Sequence, residues 1–312
     1  MKKKAREKIK KMQIIELVVI LVFVLLLPQK NYLENKRVEA VRTSEFDKFE
    51  ISKYPRKTTE EEAPEISAVS AVVLDLESGT WLYEKNPNEK LRPASITKLM
   101  TALVSLDYYK TDQVLIVKRL PPAKGESEMK LAVGDKVSVQ NLLYGLLVPS
   151  GNDAAYTLAD NYPGGIENFI YSMNKKAKEL RMKNTHFDNP SGLDTDNHYS
   201  SARDVALLTA AALKNPLISK IVATYGITLT DATGKKFYPV KNVNQFLGYL
   251  YGADGVKTGF TELAGECLAA SVSRDGHRVI SVVLKSNDRF SDSAMLLEWA
   301  YRNFIWLTPN DY

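Results

Sequence analysis

The sequence predicts an α+β fold in which an antiparallel sheet, built from strands near the two ends of the chain, packs against a helical middle. Three observations predict it. Two apolar stretches, Ala68–Leu76 and Trp81–Glu84, flank the turn signal Glu77-Ser-Gly-Thr80 and read as a pair of strands. The last third repeats that pattern, with Leu268–Val272, a turn at Arg274-Asp-Gly276, and Arg278–Leu284. Between them the apolar residues fall at helical spacing over Thr97 to about Leu106, Val139–Val148, Asp153–Asp160, Ile166–Leu180 and Ala202–Leu213, and a last helix is expected from about Ser291 to Phe304. No internal repeat is visible.

Ahead of this domain the chain opens with seven cations, Lys2, Lys3, Lys4, Arg6, Lys8, Lys10 and Lys11, against Glu7. They sum to +6 within a net charge of +5, so the remaining 300 residues sum to about −1. A nucleic-acid binder carries its excess charge on the folded body, clustered or interleaved with aromatics. No such cluster is present, and nucleic acid is not an expected partner. Residues 1–12 instead read as a cytoplasmic flank to 13–28, where Ile14–Leu27 is apolar except for Glu16 and is followed by Pro28. Its 14 residues suit a signal peptide and fall short of the roughly 17–25 that span a bilayer core. Yet no small-x-small cleavage site follows, and the first alanine after it is Ala40. A retained single anchor in the cytoplasmic membrane is expected, with the rest of the chain on the extracytoplasmic side; cleavage and secretion is the alternative.

Residues 29–64 are polar, charged and aperiodic, ending in Thr59-Glu-Glu-Glu-Ala-Pro64, and are expected to be a linker, with the folded domain over 65–312. The single cysteine, Cys267, excludes an internal disulfide, and its apolar neighbours suggest a small buried hydrophobe on a strand. His186, His198 and His277 lie too far apart in sequence to suggest a zinc site, so no metal and no cofactor are expected.

Three short motifs occur in one order: Ser95-Ile-Thr-Lys98, Ser150-Gly-Asn152 and Lys257-Thr-Gly259. Singly they mean little, since Ser127-Glu-Met-Lys130 and Ser172-Met-Asn-Lys175 also match the first pattern. Context distinguishes them. Ser95 follows Arg92-Pro-Ala94 at the mouth of an apolar helix, where free N–H groups favour developing negative charge, and Lys98 is one step on along the same face. A serine hydroxyl needs a base, and with no suitable Ser-His-Asp spacing the base on offer is lysine, which must be neutral to act. Burial and a second cation, such as Lys257, would both favour the neutral amine. Ser150 and Asn152 sit in a Pro/Gly-marked loop between two helices, able to relay a proton and hold a substrate. Lys257-Thr-Gly259 precedes a strand, so an edge strand could offer backbone groups to an extended peptide, with Gly259 allowing close approach.

The triplet resembles the penicillin-binding serine peptidases and β-lactamases. The wording around it resembles one branch, the low-molecular-weight D-alanyl-D-alanine carboxypeptidases: Arg92-Pro-Ala-Ser-Ile-Thr-Lys-Leu-Met-Thr-Ala102, Ser150-Gly-Asn-Asp-Ala154, Asn189-Pro-Ser-Gly-Leu193, His198-Tyr-Ser-Ser-Ala-Arg-Asp204 and Gly255-Val-Lys-Thr-Gly-Phe-Thr261. The resemblance runs from about residue 66 to the end. It implies a β-lactamase/transpeptidase-like fold and release of terminal D-alanine from peptidoglycan stem peptides ending in D-Ala-D-Ala, through an acyl-enzyme that β-lactams also form. Ser95 would be the nucleophile, Lys98 its general base, and Ser150 and Asn152 partners in proton transfer and substrate holding. Lys257, Thr258, Gly259 and Arg289 would bind the substrate end, with the oxyanion hole made by the N–H groups of Ser95 and Phe260. Arg289 has a plainer reading as a solvated arginine at a helix start. Family members often add a C-terminal β-rich domain and an amphipathic tail; here the chain ends at Tyr312, and the N-terminal segment is expected to replace that anchor. Some relatives carry a basic residue at the position of Val243, which leaves fine substrate preference open.

Rival readings are few. A class A β-lactamase needs a Glu-x-x-Leu-Asn segment to hydrolyse the acyl-enzyme, and none lies between Ser150 and Lys257. A DD-endopeptidase would differ in cleft shape and not in motif, so it stays open. A wall-binding protein with a retired site conflicts with the intact triplet.

Overall fold

A computed structural model describes residues 54–122 and 127–307. The basic flank, the apolar segment 13–28 and the linker up to residue 53 lie outside the described residues. Among those described, no single helix is long and apolar enough to cross a membrane.

The order of elements is β1 (Tyr54–Lys57), β2 (Ser70–Asp75), β3 (Trp81–Lys85), a 3-10 turn (Ala94–Thr97), α1 (Lys98–Tyr108), β4 (Val114–Ile116), β5 (Lys136–Ser138), α2 (Val139–Leu147), α3 (Asn152–Asp160), α4 (Gly165–Glu179), α5 (Ala202–Leu213), α6 (Pro216–Val222), β6 (Gly226–Thr230), β7 (Phe237–Lys241), β8 (Ala253–Thr261), β9 (Gly265–Arg274), β10 (His277–Ser286), α7 (Arg289–Asn303) and β11 (Phe304–Leu307). The central sheet is antiparallel in the order β3-β2-β10-β9-β8, so β2 pairs with β10 across some 200 residues of sequence, Val72 opposite Val282. The expected joining of distant segments is the fold observed.

Helices cover both faces of that sheet, with α5 on one side of β10 and α7 on the other. A strand buried on both faces reads as a continuous apolar run, which is why Ser70–Asp75 is buried at every position. Side chains alternate between two cores. Val72, Ile280, Val282 and Leu284 join the larger cluster shared with α1, α2 and α5, while Ala71, Val73, Val279 and Val283 face Leu296, Leu297 and Trp299 of α7. Each fully buried Val, Leu or Ile contributes on the order of 1.5–3 kcal/mol by leaving water.

Several helices start where side chains supply the missing acceptors. Ser138 caps α2 through Asn141 N, Ser201 caps α5 through Asp204 N, and Asp288 caps α7 through Ser291 N. The seven-residue α6, announced only by its Asn215 cap and Pro216, was not expected from the sequence, nor were the two-stranded pairs β4–β5 and β6–β7.

The linker expected through residue 64 is shorter at its end. Strand β1 pairs with β11, Tyr54 opposite Leu307, and the chain beyond it stays attached: Thr58 N–H donates to Asn303 O at 2.9 Å and Trp299 Nε1 to Glu61 O at 3.3 Å. Residues 54–64 therefore belong to the folded domain and not to a linker. This strand carries no apolar alternation because it is held through its backbone on an exposed edge, where polar residues and Pro55 are tolerated.

Candidate active site

Ser95 lies in the 3-10 turn that leads into α1, one residue after Ala94, whose φ of +48° is left-handed for a residue with a side chain. Ser150, between α2 and α3, has φ +65°. Such strain persists only where the surroundings impose it, and it clusters at functional sites. Lys98 opens α1 and is fully buried; its Nζ lies 2.7 Å from Ser95 Oγ and donates to Ser191 O at 2.8 Å. With one hydrogen occupied by that carbonyl, a neutral amine would present its lone pair to the serine hydroxyl.

Ser191 belongs to the Asn189–Leu193 turn, to which the motifs alone assign no role. Asn189 Oδ1 accepts the N–H groups of Ser191, Gly192 and Leu193, and Thr101 Oγ1 of α1 donates to Pro190 O at 2.6 Å. The turn is thus fixed both to itself and to the helix that carries Lys98. His198 adds a second tie: its Nε2 is 2.8 Å from Thr97 Oγ1, while Nδ1 accepts from Asp188 N at 3.2 Å, which sets the tautomer with the proton on Nε2. Burial pushes this imidazole down to about 4, keeping it neutral.

The loop bearing Ser150 is held by Asp153, whose carboxylate accepts Met129 N and Leu131 N, each at 2.9 Å. Asn152 is the first residue of α3 and is 3% exposed; its N–H donates to Ser127 O at 2.8 Å. Ser127, whose motif match lacked the right context, lines the cleft after all, beside Ser95 and Ser150. Ser172, the other stray match, sits on the outside of α4 with its hydroxyl on Asn168 O.

Strand β8 is one edge of the central sheet and runs past the nucleophile turn; Lys257-Thr-Gly259 lies within this strand and not ahead of one, because its residues continue the pairing with β9. A Cβ on Gly259 would come within 2.8 Å of Pro93 O, 3.0 Å of Ala94 Cβ and 3.2 Å of Ser95 N, so only glycine permits this approach. That contact brings the N–H of Ser95 beside the Gly259-Phe260 backbone, the arrangement a two-donor oxyanion hole requires. The Phe260 ring is exposed on the cleft rim.

A cleft of about 990 Å³ collects Ser95, Ser150, Thr258, Gly259, Phe260 and Arg289 on its walls. Lys98, Asn152 and Lys257 stand behind those walls and are buried. Lys257 Nζ donates to Thr258 O at 2.9 Å. Its amine is pushed down to about 7, chiefly by burial and secondly by the Arg289 guanidinium. Arg289 is not merely a solvated residue at a helix start, for its Nη1 donates to Gly259 O at 2.9 Å. Cys267 is the buried hydrophobe expected, with burial pushing its thiol up to about 11.

A family model described as D-alanyl-D-alanine carboxypeptidase matches residues 57–288, which include every residue of this site except Arg289. The chain belongs to the D-alanyl-D-alanine carboxypeptidase family. Among relatives in this family, DacF of Bacillus subtilis is 38% identical over 262 residues, covering 81% of this chain and 67% of DacF. In DacC of Escherichia coli the identity is also 38%, and the match spans 64% of its length, so this chain corresponds to about two thirds of these relatives. The Streptomyces K15 DD-transpeptidase structure superposes with a TM-score of 0.72 at 34% identity, over 78% of this chain and all of that one. Penicillin-binding protein D2 of Listeria monocytogenes, solved with ampicillin bound, gives 0.68 at 33% identity, over 77% of this chain.

Proposed function

We propose that this protein is a serine D-alanyl-D-alanine carboxypeptidase that removes the terminal D-alanine from peptidoglycan stem peptides and is acylated by β-lactams. The observation that carries this reading is the 2.7 Å contact between the buried Lys98 Nζ and Ser95 Oγ, at the foot of an open cleft. Lys98 takes the hydroxyl proton as Ser95 attacks the carbonyl of the penultimate residue. The charge that develops on the carbonyl oxygen meets the N–H groups of Ser95 and Phe260. Expulsion of D-alanine needs a proton at its nitrogen; the one Lys98 took from Ser95 returns there through the Ser150 hydroxyl, which lines the cleft, while Asn152 holds the substrate. Water then hydrolyses the Ser95 ester. A β-lactam follows the same path, but its leaving nitrogen stays attached to the acyl group, so the ester persists.

The substrate carboxylate would meet Thr258 and Arg289, with Lys257 behind them. In the free protein Lys257 is an ammonium below pH 7 and largely an amine above it. An anion arriving beside it favours the charged form. Binding of N-acetyl-D-Ala-D-Ala to a Ser95→Ala variant should therefore be insensitive to pH below 7. Above 7 it should weaken by up to about tenfold per unit with uptake of up to one proton. Calorimetry in buffers of different ionisation enthalpy reads the uptake; binding without proton uptake at pH 8.5 contradicts this role.

The activity is tested by incubating the full chain with stem pentapeptide and with cross-linked muropeptide. Free D-alanine from the pentapeptide, lost in Ser95→Ala, supports the carboxypeptidase. Cleavage of cross-links without free D-alanine favours the endopeptidase, and transfer to an added amine favours a transpeptidase. Anchoring outside the cytoplasmic membrane rests on the seven cations ahead of Ile14–Leu27. Release of the protein from membranes by carbonate would contradict it.

A further inference from the structure

A second cavity, of about 240 Å³, lies on the far side of the wall formed by Leu263, a residue that lines both it and the catalytic cleft. Its lining brings together Lys90, Arg92 and Lys285 with one carboxylate, Asp196. The two lysines make no ion pair among the described residues, and Lys90 Nζ sits 4.6 Å over the Tyr199 ring. Arg92 is left short of acceptors. Its nearest carboxylates, Asp194 and Asp196, are 3.8 and 3.9 Å away, beyond hydrogen-bond distance, and its buried Nε has no hydrogen-bond partner. A buried guanidinium nitrogen without an acceptor is costly unless something supplies one.

From this we propose that the cavity is a binding site for a phosphate group, distinct from the catalytic cleft. Arg92, whose Nε is buried, offers the terminal N–H groups of its guanidinium, and the ammonium groups of Lys90 and Lys285 face the rest. A phosphate carries more charge than a carboxylate and spreads its acceptor oxygens over a tetrahedron, which suits three converging cations better than the planar oxygen pair of a carboxylate. The phosphate could be free or part of a polymer. The site also reaches the cleft: Arg92 lies three residues before Ser95, and Asp194, its longer-range partner, accepts from Thr261 Oγ1 at the end of β8 and lines the cleft.

The test is calorimetric titration of the full chain in detergent with inorganic phosphate, acetate and a glycerol-phosphate oligomer. The readout is independent of any peptidase activity. Saturable phosphate binding is expected, stronger than that of acetate and weakened at least about tenfold by Lys90→Glu/Lys285→Glu. Both lysines are exposed, so the pair should fold; Lys90→Gln/Lys285→Gln is a milder version, and melting curves check both. Tighter binding of the oligomer than of the ion identifies a polymer as the ligand, and the reverse identifies a free phosphate. Binding that survives the lysine variants but is lost in Arg289→Ala would put the anion in the catalytic cleft and overturn the proposal. So would absence of saturation at tens of millimolar phosphate.

Discussion

Replacing Lys98 with methionine is expected to slow acylation of the protein by penicillin by roughly 10²–10⁴-fold, the usual contribution of a positioned general base. Methionine matches the aliphatic stem and keeps the buried volume filled. What it removes is the nitrogen 2.7 Å from Ser95 Oγ and 2.8 Å from Ser191 O. Without that base the hydroxyl must lose its proton to water in a site where the side chain behind it is apolar. Arginine in its place should fail as well, because a guanidinium stays protonated and cannot act as a base. Stopped-flow acylation with a chromogenic β-lactam reads the loss, and a melting curve separates it from unfolding. A loss below about tenfold, with the fold intact, would mean that another group takes the Ser95 proton.

Gly192→Ala is expected to be the most damaging single methyl group near the site. The added Cβ would lie 1.9 Å from Ala94 O, 2.4 Å from Ala94 C and 3.0 Å from Ser95 N, and Gly192 has φ +88°. All three neighbours are backbone, so no side chain can swing away. Either the nucleophile turn moves or the Asn189–Leu193 turn does, and both carry the Lys98–Ser95 contact. A displacement of about 1 Å in a reacting group costs on the order of 10²-fold in rate. Folding stability should fall by about 2–4 kcal/mol, in the range set by strain at a special backbone position. Denaturant melts and acylation kinetics on the same preparation check both. An alanine variant that melts and acylates like the wild type would show that this turn does not brace the nucleophile. Gly79→Ala is the comparison, since it shares a positive φ of +71° but meets nothing within 4 Å.

The parts of the fold that were legible share one property: they are buried by many apolar side chains. Strands β2, β9 and β10 and helices α2–α5 carry uninterrupted or periodic apolar patterns because cores press on them from one face or both. Strand β1 was invisible because its pairing with β11 uses backbone groups, which leave no trace in residue type. The same physics divided the site. Ser95, Lys98, Ser150, Asn152 and the Lys257-Thr-Gly259 strand announced themselves through reactive side chains in a fixed order. The carbonyl of Ser191 that holds Lys98, and the carbonyl of Ser127 that holds Asn152, act through atoms every residue owns. Only the capping side chain Asn189 and the obligatory Gly192 hinted at the first of them. The sequence offered Lys257 as a second cation for Lys98; that Arg289 in turn acts on Lys257 was not legible, because it depends on α7 folding back onto β8.

Formation of a covalent acyl-enzyme at Ser95 is read by intact mass spectrometry of the full chain after mixing with penicillin. One adduct of the mass of the intact antibiotic is expected on the wild type, persisting because the stretch between Ser150 and Lys257 lacks the Glu-x-x-Leu-Asn segment of a β-lactamase, and none on Ser95→Ala. An equal adduct on Ser95→Ala, or rapid turnover of penicillin with no adduct on the wild type, would contradict it.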